Sequence, residues 1–278
     1  MRIALCNEVL AERDFAAQCA YAAALGYDGL EVAPFTLADE PQRIAPGTCA
    51  TLRRAASDAG IAITGLHWLL VKPTGLSITT ADAAVRARTA DVLRALVELC
   101  VELGGRYLVH GSPAQRRIPA GETRATAWAR ARDAFATAAE AAGQARVTYL
   151  IEPLPPDETD LINTLDEAAA MVREIGHPAL RTMLDTKSAS LAEQESIPDL
   201  IARWLPTGLI GHVQLNDRNR RGPGQGSDRF AAVLDALVAG GYAGDIAIEP
   251  FDYVPDGPGC AARSIGYVRG LLEASGHR

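Results

Sequence analysis

The sequence lacks a cysteine pair, an interdomain linker and any apolar run long enough to cross a bilayer, and each absence narrows what the chain can be. Its five cysteines, Cys6, Cys19, Cys49, Cys100 and Cys260, are odd in number and scattered, with no C-x-x-C spacing. That excludes a disulfide framework and points to free thiols in a reducing cytoplasm. Met1–Leu10 carries one Arg and a short apolar run broken by Asn7 and Glu8, too short and too polar for a signal peptide. The apolar stretch Ile61–Val71 is interrupted by His67, so no membrane span is expected. Basic residues are in the minority, 27 against 34 acidic, and the net charge of −7 repels phosphate backbones and anionic lipid. Neither nucleic acid nor membrane is therefore an expected partner. No stretch is rich enough in Pro, Gly or Ser to separate domains, so the 278 residues read as one domain spanning 1–278.

What is present is a soluble globular composition, with 48% hydrophobic and 22% charged residues. Two textures alternate along it. Short apolar runs rich in β-branched residues end abruptly in a polar one, and long Ala-rich stretches with charges at helical spacing follow. The runs predict strands at Ile3–Cys6, Gly29–Val32, Ile61–Leu66, Tyr107–Val109, Thr148–Ile151, Arg181–Leu184, Gly211–Leu215 and Ile246–Ile248. Helices are expected at Phe15–Leu25, Ala50–Ala59, Asp82–Leu103, Arg124–Ala142, Leu165–Ile175, Ile197–Trp204, Ser227–Ala239 and Cys260–Ala274. Thr164 with Glu167 reads as a capping box, and Gly26, Gly60, Gly104, Gly143, Gly176 and Gly240 stand where left-handed C-caps belong. Eight strands alternating with eight helices imply a parallel sheet, and the count favours an α/β fold closed as a single (β/α)₈ TIM barrel. An open doubly wound sheet is the alternative, but no G-x-G-x-x-G follows the first strand.

In such a barrel, chemistry sits where strands end. Glu8, Glu31, His67, His110, Glu152, Asp185, Gln214 and Glu249 occupy or adjoin those positions in strands one to eight. Taken singly, a carboxylate there reads as a solvated loop residue or a salt-bridge partner. Glu152, Asp185, Gln214 and Glu249 come from four successive strands, and unpaired ions in a narrow mouth are strongly disfavoured. One hard divalent cation resolves that, since Mg²⁺ and Mn²⁺ take oxygen ligands.

Several segments carry a family resemblance. They are Ile151-Glu152-Pro153-Leu154 with Glu158-Thr159, Leu184-Asp185-Thr186, His212-Val213-Gln214-Leu215-Asn216-Asp217 leading to Arg220 and Pro223-Gly224-Gln225-Gly226, and Ile248-Glu249-Pro250-Phe251. In this order and at strand ends, they resemble the xylose-isomerase-like superfamily of sugar and sugar phosphate isomerases and epimerases. The resemblance implies a TIM barrel with one divalent ion, Mn²⁺ first and Mg²⁺ or Co²⁺ as alternatives, held by Glu152, Asp185, Gln214 and Glu249. It implies that Glu152 and Glu249 face each other across the substrate carbon as the acid–base pair, with Glu158 and Arg220 contacting substrate.

Two departures qualify it. The strand-seven ligand of the tagatose-epimerase-like branch is His, whereas here it is Gln214, with His212 two residues earlier and on the same side of the strand. Gln at this position resembles the hydroxypyruvate-isomerase branch, so Gln214 is preferred and His212 stays a rival. Where the epimerases have the His of Asp-x-x-His, this chain has Ser188 after Lys187, which argues against a free-ketose substrate.

The expected activity is metal-dependent isomerisation or epimerisation of a small sugar, sugar phosphate or hydroxy-ketone through an enediolate, and a dehydratase of the same superfamily is the alternative. His67 and Trp68 read as pocket wall, with Trp68 equally explained by packing, and His110 as a residue lining the mouth. His67 and His110 also match metal-binding positions of the endonuclease IV family, but a metal cluster needs more histidines than His67, His110, His177, His212 and His277 supply. Arg218 and Arg221 read as solvated loop charges, Arg220 as a substrate contact, and 251–259 as a loop that either caps the site or merely turns. The helical outer face of such a barrel is a common dimer surface, so a homodimer is an open expectation.

Overall fold

The computed structural model describes residues 1–276; His277, counted among the histidines above, lies outside them. Eight parallel strands, β1 (Arg2–Cys6), β2 (Gly29–Val32), β3 (Ala62–Leu66), β4 (Tyr107–His110), β5 (Thr148–Ile151), β6 (Leu180–Asp185), β7 (Ile210–Leu215) and β8 (Asp245–Ile248), pair in sequence order. Pairing of β1 with β8 closes the barrel, with Ala4 opposite Ala247 and Leu5 opposite Ile248. That closure disposes of the open-sheet alternative. The helices are α1 (Phe15–Leu25), α2 (Pro46–Asp58), α3 (Ala83–Leu103), α4 (Arg124–Ala145), α5 (Leu165–Ile175), α6 (Thr186–Ala192), α7 (Ile197–Trp204), α8 (Phe230–Ala239) and α9 (Gly257–Ala274).

Alternation along each strand makes two faces. Ile3, Leu5, Ile246 and Ile248 join the main core between barrel and helices. Ala4, Cys6 and Ala247 form one interior cluster, and Tyr107, Val109, Leu150 and Met183 another. All five cysteines are buried and unpaired. Among the described residues no helix is long and apolar enough to cross a membrane.

The local signals mostly hold, with corrections. Thr164 accepts from the Glu167 N–H at 3.2 Å, but the Glu167 carboxylate reaches back to Asn163 N rather than to the cap residue. Gly26, Gly104 and Gly176 are left-handed C-caps. Gly143 is not a cap: α4 runs past it to close on Arg146 at φ 59°. Gly240 stays right-handed and Gly241 takes the positive φ. Nine helices rather than eight are present among the described residues, because seven residues after β6 form α6, too short a run to show periodicity. Asp185 caps it, its Oδ1 accepting from Ser188 N at 2.6 Å.

Candidate active site at the carboxyl ends of the strands

Glu152 follows β5, Asp185 ends β6 and Glu249 follows β8; all three are buried, and each offers a carboxylate oxygen within 4.8 Å of the others. Gln214, on β7 between them, lies opposite Asp185 and Ala247 in the strand register. Its side chain enters the barrel, since Nε2 donates to Glu31 Oε1 on the non-adjacent β2 at 2.6 Å. Among the described residues, Asp185 Oδ2, Gln214 Oε1 and Glu249 Oε2 are buried without a hydrogen-bond partner. Three orphaned acceptors on three adjacent strands are a costly arrangement that no protein donor relieves. An all-oxygen set of this kind fits a hard divalent cation.

The electrostatics agree. Burial, then the charges of Glu249 and Asp185, push the Glu152 carboxyl well above the usual carboxylate range. Burial raises Asp185 as well, and lifts Glu249 to about 8 against the lowering effect of His67. Without a cation, each shift favours the protonated form.

His212 sits one layer deeper than Gln214. Its Nε2 lies 2.7 Å from Glu31 Oε2, and its ring stacks on Tyr107 with centroids 4.3 Å apart. Burial alone would raise Glu31, but the charge of His212 and its hydrogen bonding, together with His67 and Tyr107, bring it to about 2.

His67 is in the site but not as a passive wall. Nδ1 lies 2.9 Å from Glu249 Oε1, and Nε2 lies 3.0 Å from Glu8 Oε2. Trp68 packs between two aromatic rings, 5.7 Å from Phe35 and 5.6 Å from Phe251, and its φ of 51° is strained for a bulky residue. His110 is not brought to this cluster. Tyr107 and Val109 take the interior positions of β4, so His110 turns outward, edge-on to Phe135 of α4 and 2.7 Å from Tyr149 Oη. Burial, and then Arg116, hold it well below the usual histidine range.

Glu158 is ion-paired with Lys187, whose Nζ also lies 5.3 Å from the Phe251 ring centre. Arg220, with φ 70°, places Cζ 5.8 Å from the same ring. Arg218 pairs with Asp228 and Arg221 with Asp252, whereas no carboxylate among the described residues lies within ion-pair distance of Arg220. The Arg220 carbonyl accepts from Phe251 N and Asp252 N at 2.7 and 2.9 Å, which ties the loop after β8 to the mouth rather than leaving it a free turn.

Three residues that sequence reasoning did not assign complete the frame. Lys187 is a nearly buried cation among Asp185, Glu152 and Glu158. Asn216 stitches the strand ends, donating to the Glu249 carbonyl at 3.0 Å and accepting from Lys187 N at 2.8 Å. Arg116, fully buried, donates to the Glu152 carbonyl at 2.6 Å.

A family model described as "xylose isomerase-like TIM barrel" matches residues 19–271. The chain belongs to this family. Within it, 204 residues are 32% identical to the L-ribulose 3-epimerase of Mesorhizobium japonicum, covering 72% of this chain and 65% of that protein. The aligned part is thus just under two thirds of that relative's length. The D-psicose 3-epimerase of Agrobacterium fabrum is 30% identical over 234 residues, 82% of this chain and 76% of that one. A solved L-ribulose 3-epimerase superposes with a TM-score of 0.82 at 25% identity, covering 98% of this chain and 95% of the other. Ketose 3-epimerases are therefore among the family members similar to this chain.

Proposed function

We propose that the chain is a divalent-metal-dependent epimerase of a small ketose or ketose derivative, inverting a carbon next to the carbonyl. The observation that carries this is the convergence of Glu152, Asp185 and Glu249 within 4.8 Å, with the unpartnered Gln214 oxygen on the strand between. The relatives' 3-epimerase activities support the reaction type.

Glu152, Asp185, Gln214 and Glu249 would hold the cation, Mn²⁺ first, with Mg²⁺ or Co²⁺ as alternatives. When bound, it supplies Lewis-acid stabilisation of the negative charge that develops as the substrate becomes an enediolate. Glu152 and Glu249 come from β5 and β8, so they approach the reacting carbon from different sides of the barrel. One removes the proton and the other delivers one to the opposite face, which inverts the carbon. Phe251 and Trp68 give the C–H surface of the sugar an apolar wall. Glu158, Lys187 and Arg220 orient its polar groups. Ser188 N donates to Asp185, the cap of α6, while the Ser188 hydroxyl is buried without a partner among the described residues, so this segment offers Ser188 Oγ as well as Lys187 to substrate.

The test is NMR-detected deuterium uptake in D₂O with Mn²⁺-loaded enzyme and a panel of ketoses, ketose phosphates and hydroxypyruvate. Metal-dependent exchange next to a carbonyl, with appearance of the epimer, is the expected result. Tight binding of one ion with no exchange on any panel member would refute the ketose assignment; absence of any bound ion would refute the metal centre.

A further inference from the structure

Glu31 is a carboxylate at the bottom of the site, fully buried inside the barrel, and the acid–base chemistry above does not use it. Three groups converge on it from other strands: Gln214 Nε2 at 2.6 Å, Tyr107 Oη at 2.5 Å and His212 Nε2 at 2.7 Å. Tyr107 is itself fixed by Thr64, with the two hydroxyl oxygens 3.0 Å apart. The carboxylate is therefore clamped in place.

A glutamine side chain presents a donor at one end of its amide and an acceptor at the other, and the two ends have nearly the same shape. An ionised carboxylate accepts only. Facing Glu31, the amide must point its NH₂ group down; reversed, it would press oxygen against oxygen at hydrogen-bond distance. Its Oε1 is then left at the other end, buried and without a protein donor.

We propose that Glu31 is a positioning residue that holds the Gln214 amide with its oxygen, not its nitrogen, toward the cation. This rests on the metal reading given above. It accounts for a neutral amide serving among carboxylates, because the free end offers a hard oxygen in one orientation and a repelling N–H pair in the other. Outer groups that orient a ligand in this way commonly change metal affinity 10- to 100-fold when removed.

The experiment is calorimetric titration of Mn²⁺ into the full chain, with melting temperatures recorded in parallel. Glu31→Gln supplies both a donor and an acceptor below Gln214, so the amide is free to reverse; Mn²⁺ affinity is expected to fall roughly tenfold or more. The exchange variant Glu31→Gln/Gln214→Glu restores the hydrogen bond with its polarity inverted and still presents an oxygen upward. It is expected to fold and to bind Mn²⁺ at least as tightly as the wild type. Wild-type affinity in a folded Glu31→Gln protein overturns the assignment. Should Glu31→Gln fail to fold, a folded exchange variant that binds no Mn²⁺ overturns it instead. A wild-type chain that binds no Mn²⁺ removes the metal centre itself and this inference with it.

Discussion

The imidazole of His67 is held against the carboxylate of Glu249, with Nδ1 2.9 Å from Oε1. Its other nitrogen is 3.0 Å from Glu8 Oε2, so one ring bridges two buried acids. Both ring nitrogens can donate only in the imidazolium form. Burial opposes that charge, but Glu8, Glu249 and Glu31 outweigh it and raise the His67 pKa well above its ordinary value. Cys6, Glu8, His67 and Glu249 together resemble a ligand cluster. The imidazolium already supplies a cation beside Glu8 and Glu249 Oε1, whereas Glu249 Oε2, Asp185 Oδ2 and Gln214 Oε1 are left without a partner among the described residues, so Glu249 is shared by the two halves of the mouth.

Replacing His67 therefore strips a buried cation from beside Glu8 and Glu249. In the metal-free protein, His67→Asn is expected to lower stability by about 3–5 kcal/mol, the usual scale for breaking a buried pair from one side. The pH dependence fixes the sign. Because the folded-state pKa of His67 lies above its unfolded value, its contribution is fully present below about pH 6.5 and fades as pH rises through the folded value. Urea melts of wild type and variant at pH 6 and in mildly alkaline buffer should show the gap narrowing upward. A gap that is constant or that widens with pH would contradict the imidazolium bridge.

Gly111 tests the placement of Glu152 from the backbone side. A Cβ built there would lie 1.7 Å from Glu152 Oε2 and 2.9 Å from its Cδ. The obstructed atoms are the end of a flexible side chain, so Gly111→Ala should fold while Glu152 swings aside. A displacement of about an ångström at a reacting group commonly costs about 100-fold in rate. Deuterium exchange should fall by that order with the melting temperature nearly unchanged. Full exchange in the variant would show that Glu152 does not work from this position.

The fold was readable in the chain, and so were the candidate ligands, because both follow from local rules. A β-branched run ending in a carboxylate is visible one residue at a time, which is why Glu152, Asp185 and Glu249 stand out. His110 was misplaced by parity: β4 extends to include it, and with Tyr107 and Val109 pointing inward the next residue must point out. Counting that alternation would have found it. Lys187 gave no such signal, since its partner Glu158 is 29 positions away and only packing of the two loops brings them together. Arg116 looks in sequence like half of an exposed Arg-Arg pair, and its complete burial comes from folding of the loops around it. Glu31 was visible in its strand, but the cross-barrel register that sets it under Gln214 was not.

The acid–base pair has a direct test. Glu152→Gln and Glu249→Gln keep side-chain size and one oxygen each while removing the ability to take a proton. Either change is expected to cut deuterium exchange about 10²- to 10⁴-fold, the range for losing a general acid or base. Size-matched amides also let Mn²⁺ affinity be measured in the same variants, so loss of metal and loss of proton transfer can be separated. A Glu249→Gln enzyme that is metal-loaded and fully active would remove Glu249 from the chemistry.

Cation and protons compete for the same oxygens, and the pKa shifts say where. Glu249 holds its proton up to about pH 8 in the metal-free fold, against an ordinary value of 4.5, and Glu152 and Asp185 are shifted in the same direction. Between those limits the folded protein binds more protons than the unfolded chain, so the metal-free fold loses stability from Glu249 as pH rises from 4.5 toward 8. A cation that displaces those protons relieves the loss. Counting Glu249 alone, apparent affinity should be about 50-fold weaker at pH 6 than at pH 8, from the fraction of that carboxyl left unprotonated. The rise in melting temperature on adding Mn²⁺ should accordingly be larger at pH 8 than at pH 6. Calorimetry in two buffers of different ionisation enthalpy should report proton release on binding near pH 7. Equal Mn²⁺ affinity at pH 6 and pH 8, with no proton released, would mean that the cation is not held by these three carboxylates.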